Sequence, residues 1–167
     1  MHFTNNLDIA IRNLYEKGAF LTVKHKDEIN TMTIGWGTIG YQWGKPILVV
    51  LVRKHRHTFN LIDNVDNFTV TIPLDDSLKS ELLFCGTKSG RDFDKFKECN
   101  LELKPSNTID TPIINRANTL TYECKIVYKQ EMNPEFLDNT IKNSSYPKED
   151  YHVLYYGEIL DCYKLNS

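Results

Sequence analysis

The hexapeptide ILVVLV, residues 47–52, sets the strongest constraint on what this chain can fold into. Nothing polar interrupts it, and most of its residues are β-branched. It is far too short to cross a bilayer. Such a run suits a strand covered on both faces, and Pro46 gives it a sharp start. Around it lie segments with a period of two. NFTVTIP (67–73) turns Phe68, Val70 and Ile72 inward and Thr69 and Thr71 outward. TLTYECKIVYK (119–129) alternates Leu120, Tyr122, Cys124, Ile126 and Tyr128 with polar neighbours, HVLYYGEIL (152–160) predicts a last strand, and FLTVKH (20–25) an early one.

Helices are few and short. Leu7, Ala10, Ile11 and Leu14 carry helical spacing over 6–17, with Asn5 or Asn6 as cap and Gly18 as stop. SLKSELLF (77–84) predicts a second helix, and RDFDKFKE (91–98) a third with Phe93 and Phe96 on one face. About six strands, few helices and no linker or repeat predict one domain over 1–167, mainly β with short helices, closed or nearly closed as a barrel. A barrel interior covers one face of ILVVLV; a helix or a second subunit must cover the other, which points to a homodimer.

NTMTIGWGTIG, residues 30–40, reads as one strand paired with 20–25 across the turn KDEIN. Met32, Ile34 and Trp36 share one face, and Thr31, Thr33, Gly35 and Gly37 the other. Glycine inside a strand marks close approach of another group to the backbone. A second candidate segment, RKHRHTFNLI (53–62), gathers Arg53, Lys54, Arg56, His55 and His57 ahead of Thr58, which is placed to cap a short helix. Guanidinium groups and a hydroxyl at a helix start suit a phosphate. FCGTKSGRDFDKF (84–96) adds Lys88, Arg91 and Lys95 with Gly86 and Gly90, before a helix capped by Ser89 or Asp92. Read on spacing alone, both segments are equally compatible with solvated surface turns.

Other chemistry finds little footing. A net charge of −2 gives no basic excess for nucleic acid. No Walker or G-x-G-x-x-G pattern occurs. The cysteines (Cys85, Cys99, Cys124, Cys162) have neither CxxC nor zinc spacing; scattered thiols fit a reducing cytosol, and Cys85 reads as a buried inert thiol. The N-terminus shows no charged leader followed by an apolar run, so no export signal and no membrane association are expected. His55 and His57 share a strand face but lack a third ligand. No carboxylate pair or Ser/His/Asp set stands out, so no general acid or base is assigned.

In order along the chain, N-T-M-T-I-G-W-G-T-I-G, a strand ending R-K-H-R-H-T, F-T-V-T-I-P, S-G-R-D-F-D-K-F, E-C-K and H-V-L-Y-Y-G-E-I resemble the flavin reductase-like family, in particular its flavoredoxin-type branch. The resemblance spans roughly residues 15–165. It implies an FMN-binding split barrel, a Greek-key β barrel that forms homodimers with FMN at the interface. It implies that Asn30, Thr31, Met32 and Thr33 line the flavin ring with Trp36 at its edge, that Arg53, Arg56 and Thr58 hold the ribityl phosphate, and that Ser89, Lys95 and His152 reach or border the cofactor. His57 stands where relatives usually carry an aromatic residue. The implied activity is FMN-dependent oxidoreduction: NADH or NADPH gives hydride to flavin N5, and a second acceptor, free flavin or a redox partner protein, takes the electrons. The alternative is a non-catalytic FMN-binding module or partner subunit.

Overall fold

The computed structural model describes residues 2–166. Seven strands form one antiparallel sheet: β1 (Ala19–His25), β2 (Glu28–Ile34), β3 (Gly37–Gln42), β4 (Lys45–Arg53), β5 (Asn67–Pro73), β8 (Thr119–Glu131) and β9 (His152–Leu165). Their order is β2-β1-β5-β8-β9-β4-β3. A short two-stranded ribbon, β6 (Leu103–Lys104) and β7 (Ile113–Ile114), stands apart. β2 and β3 follow each other in sequence yet occupy opposite edges of the sheet. Gly35 and Trp36 connect them, so the sheet curls until its two edges meet across a two-residue strap.

The inner face of the curl is the main core. Leu21, Val23, Met32, Ile34, Leu48, Val50, Val52, Phe68, Val70, Ile72, Leu120, Tyr122, Val153 and Tyr155 form one buried cluster. The alternation expected for 67–73 therefore holds, and that for 119–129 holds as far as Ile126; a register shift between Ile126 and Tyr128 leaves Tyr128 exposed outside the core. Outward-facing Thr69 and Thr71 are buried as well, because Phe20, Leu78, Leu82, Cys85, Leu101 and Ile114 make a second apolar layer outside the sheet. ILVVLV splits as its composition requires: Leu48, Val50 and Val52 point into the barrel, while Ile47 and Val49 are buried on the other side.

Several predicted elements differ. The stretch 30–40 is not one strand: it breaks after Ile34, and its two halves pair with β1 and β4 respectively. The first helix, α1 (Leu7–Glu16), begins after Asn6 without a side-chain cap, and Gly18 at φ 91 ends it as expected. α2 (His57–Ile62) takes Arg56, not Thr58, at its N-cap position, and α3 covers Lys79–Thr87. α4 is only Lys95–Glu98, with the Asp94 carboxylate accepting from the Lys97 amide. Neither Ser89 nor Asp92 caps it. Phe93 lies outside that helix and is partly exposed, whereas Phe96 packs against the second core. Between β8 and β9 an excursion carries a 3-10 turn (Pro134–Phe136) and α5 (Asn139–Ser145). Among the described residues, no helix is long and apolar enough to cross a membrane.

Candidate functional site

The glycines of the strap have different causes. A Cβ on Gly37 would stand 2.9 Å from the Val49 carbonyl oxygen, so its missing side chain admits strand β4. A Cβ on Gly35 would meet nothing within 4 Å. Gly35 faces open space, a pocket of about 200 Å³ whose wall includes Thr33, Trp36, Leu51, Arg53, Arg56 and His152. Met32 also borders it, although the Met32 side chain belongs to the barrel core.

Arg53 and His152 are direct cross-strand partners between β4 and β9, which brings both to the pocket. The Arg53 guanidinium donates to the Asp150 carboxylate and, at 3.0 Å, to the Ser145 carbonyl, and it sits 5.1 Å from the centre of the Tyr146 ring. Its charge is compensated. His152 shares a 2.7 Å hydrogen bond between Nδ1 and the Tyr146 hydroxyl, and its ring lies 5.4 Å from that of Trp36. Burial, reinforced by Arg53, pulls the imidazole down to about 4, so it is neutral at physiological pH. Trp36, by contrast, is about half exposed.

Arg56 also borders a second, basic pocket of about 270 Å³, which includes Thr58, Lys88, Ser89, Arg91 and Lys95. Arg56 donates to the Gly86 carbonyl at 2.9 Å, and burial followed by the neighbouring Arg53 lowers its pKa. Lys95 is 3% exposed, and its Nζ donates to the carbonyls of Thr31 at 2.8 Å and Cys85 at 2.9 Å. Burial pulls this ammonium down to about 8. Among the described residues, neither Arg56 nor Lys95 has a carboxylate partner. A buried ammonium and a half-buried guanidinium paired only with carbonyl dipoles are costly unless an anion completes the site.

Asn30 and Thr58 are buried here, and the Asn30 amide donates to the Thr58 hydroxyl at 2.8 Å. Thr31 and Thr33 turn their hydroxyls to protein carbonyls, Thr31 to Leu21 and Thr33 to Leu82 at 2.6 Å. Ser89 accepts from the Arg91 amide. His57 bonds Glu28 through Nε2 at 2.6 Å, while its buried Nδ1 has no partner. Cys85 is fully buried, and burial pushes its thiol up to about 12, which suits an inert core residue.

Most of the residues expected from the sequence line two adjoining pockets, with Arg56 on the border of both; Asn30 lines neither but bonds Thr58, and Thr31 is fully buried and lines neither. Arg53 stands at the Gly35 pocket rather than the basic one. Sequence reasoning missed Leu51, Tyr146 and Asp150. Leu51 carries the signal of an outward residue in an apolar strand; Tyr146 and Asp150 lie in an excursion without periodicity and leave none.

Solved structures share this architecture. A flavoredoxin from Methanosarcina acetivorans is similar with a TM-score of 0.68 and 23% identity, over 89% of this chain and 68% of that one. An FMN-binding protein from Thermus thermophilus gives 0.69 and 19%, over 90% and 74%. An NADH:FAD oxidoreductase from Streptomyces globisporus gives 0.67 and 15%, over 95% and 83%. No curated protein matches the chain by sequence. The fold is the FMN-binding split barrel. The model of the flavin reductase like domain matches residues 13–167, and the chain belongs to that family. Membership supports a flavin as cofactor and a flavin-linked oxidoreductase as the class of activity.

Proposed function

We propose that the chain is an FMN-dependent oxidoreductase of flavoredoxin or flavin reductase type, taking electrons from NADH or NADPH and passing them to free flavin or a redox partner protein. The observation that carries this reading is the carboxylate-free pair of half-buried Arg56 and buried Lys95 beside the open space over Gly35. A molecule with a planar head and an anionic tail answers both needs. FMN supplies the hydride- and electron-accepting chemistry when bound; the protein supplies binding and electrostatics.

The contacts support the following roles. Arg56, Lys95, Thr58 and Ser89 hold the phosphate, with Asn30 fixing the Thr58 hydroxyl. Met32, Thr33 and Gly35 border the ring, Thr31 anchors their strand through the Leu21 carbonyl, and Trp36 and His152 wall the ring from water. Arg53, neutralised by Asp150, positions the Tyr146–His152 pair rather than binding phosphate. The neutral His152 ring adds no charge to that wall.

The same reading includes a cytoplasmic homodimer. Trp43, Tyr128 and Tyr156 form an aromatic trio with centroids 5.2–5.9 Å apart, and Trp43 and Tyr128 remain about half exposed. Tyr156 pairs with Val49 on the outward face of β4, close in register to Leu51. A second copy seated there covers the apolar surface that continues from the pocket wall.

Visible spectra of the anaerobic protein, titrated with each pyridine nucleotide, test the function. Flavin absorbance that bleaches with NADH or NADPH is expected. Protein that is colourless and takes up no FMN ends the proposal, and bound FMN bleached only by dithionite reduces it to a flavin-binding module.

A further inference from the structure

The two ring nitrogens of His152 have different surroundings. Nδ1 lies 2.7 Å from the Tyr146 hydroxyl. Nε2 has no hydrogen-bond partner among the described residues and is not sealed from solvent; because His152 lines the pocket over Gly35, that nitrogen opens into it. Which nitrogen carries the hydrogen follows from the partner. Burial raises the pKa of the Tyr146 phenol, against the pull of Arg53, so the hydroxyl keeps its proton. An imidazole nitrogen accepts better than a phenol oxygen, so the hydroxyl donates to Nδ1 and the hydrogen of the neutral ring sits on Nε2. Tyr146 is itself held in place. The Arg53 guanidinium stands 5.1 Å from the centre of its ring, and Trp36 leans on both rings, 6.4 Å from Tyr146 and 5.4 Å from His152.

We propose that Tyr146 is a positioning residue that fixes His152 as a neutral Nε2–H donor to a carbonyl oxygen of the planar group in the Gly35 pocket. The proposal rests on the flavin reading of that pocket and gives His152 a task beyond walling it. A flavin ring that has taken up hydride shares the added negative charge with its carbonyl oxygens. A donor already aimed there stabilises the reduced ring more than the oxidised one. The neutral ring does this without setting a further cation beside Arg53.

Two measurements test it. Nitrogen-15 NMR of the flavin-free protein, with His152→Gln identifying the signals among the five histidines, should show Nε2 protonated and Nδ1 not. Tyr146→Phe should mix the two tautomers. A parent protein with its hydrogen on Nδ1 overturns the proposal. Anaerobic titrations then give the affinities for reduced and for oxidised FMN. His152→Phe should lower the ratio of reduced to oxidised affinity about tenfold, and Tyr146→Phe should lower it in part. His152→Gln, which keeps an N–H near the place of Nε2, should recover part of the loss. A purely structural role moves both affinities together and leaves their ratio alone; that result overturns the proposal while the flavin reading stands. Should Tyr146→Phe fail to fold, the parent spectrum and the His152 variants still decide. If no flavin binds at all, the carbonyl assignment falls with the flavin reading, and the tautomer signature of the parent separately sustains or removes the donor.

Discussion

The Asn30 amide donates to the Thr58 hydroxyl at 2.8 Å, joining the strand beside the open pocket to the first turn of α2. Gly90 makes room for this bond: a Cβ there would overlap Asn30 Oδ1 and stand 2.8 Å from Cδ2 of His57. Gly90→Ala is therefore expected to destabilise the fold by about 1–3 kcal/mol through overpacking and to weaken FMN binding in parallel. Chemical denaturation and flavin titration of the same variant check both.

Arg56→Ala removes a cation that touches both pockets. Losing charge-assisted bonds of about 1.5–3 kcal/mol should weaken FMN by tenfold or more, with Thr58→Ala adding to the loss. Arg56→Lys should recover only part of it, because an ammonium lacks the guanidinium fork. Flavin affinity unchanged in the double alanine variant would remove the phosphate assignment.

Lys95 gives two pH effects of opposite sign. Its folded pKa of about 8 lies below the ordinary lysine value, so between the two the unfolded chain holds more protons. Stability of the flavin-free protein should rise as pH climbs through that window. The neutral amine still has two N–H bonds for the Thr31 and Cys85 carbonyls, but the charge facing the anion is gone. FMN affinity should fall above about pH 8, a trend that Lys95→Met abolishes. Fluorescence titrations from pH 7 to 9.5 read it directly.

His152 behaves differently. Its folded pKa of about 4 lies below the ordinary histidine value of 6.5. Below pH 6.5 the unfolded state takes up a proton that the folded state refuses, so stability is full above 6.5 and declines toward pH 4. Melting curves of the parent protein and His152→Gln should converge in slope over that range if another group dominates, and diverge if His152 does.

Tyr156→Glu places a charge among the exposed aromatic rings. Sedimentation should show the parent as a dimer and the variant shifted toward monomer. A parent protein that sediments as a monomer at micromolar concentration would remove the second copy from the scheme.

Much of this architecture was legible because period-two burial is a local property. β5 and β8 announce themselves residue by residue, and the family motifs identify the rest. The break at Gly35–Trp36 was not legible, because the alternation runs through it undisturbed. Only the sheet order sends the two halves to opposite edges. β8 and β9 outrun their patterns for a related reason: polar Gln130 and Glu131 pair with Leu154 and Val153 without any periodic signal of their own. At the site, the cations were visible but their partners were not. Asp150, which neutralises Arg53, lies 97 residues away. Thr58 looked like a cap because capping residues and buried hydroxyl acceptors share one chemistry.

The strap between β2 and β3 has a mechanical corollary. A cylinder closed by covalent linkage at one point, instead of by a continuous ladder, has a seam, and the pocket over Gly35 lies along it. Anything lodged there works as a clasp. Occupancy should then be readable as resistance to heat, with a melting temperature that climbs with the logarithm of free ligand.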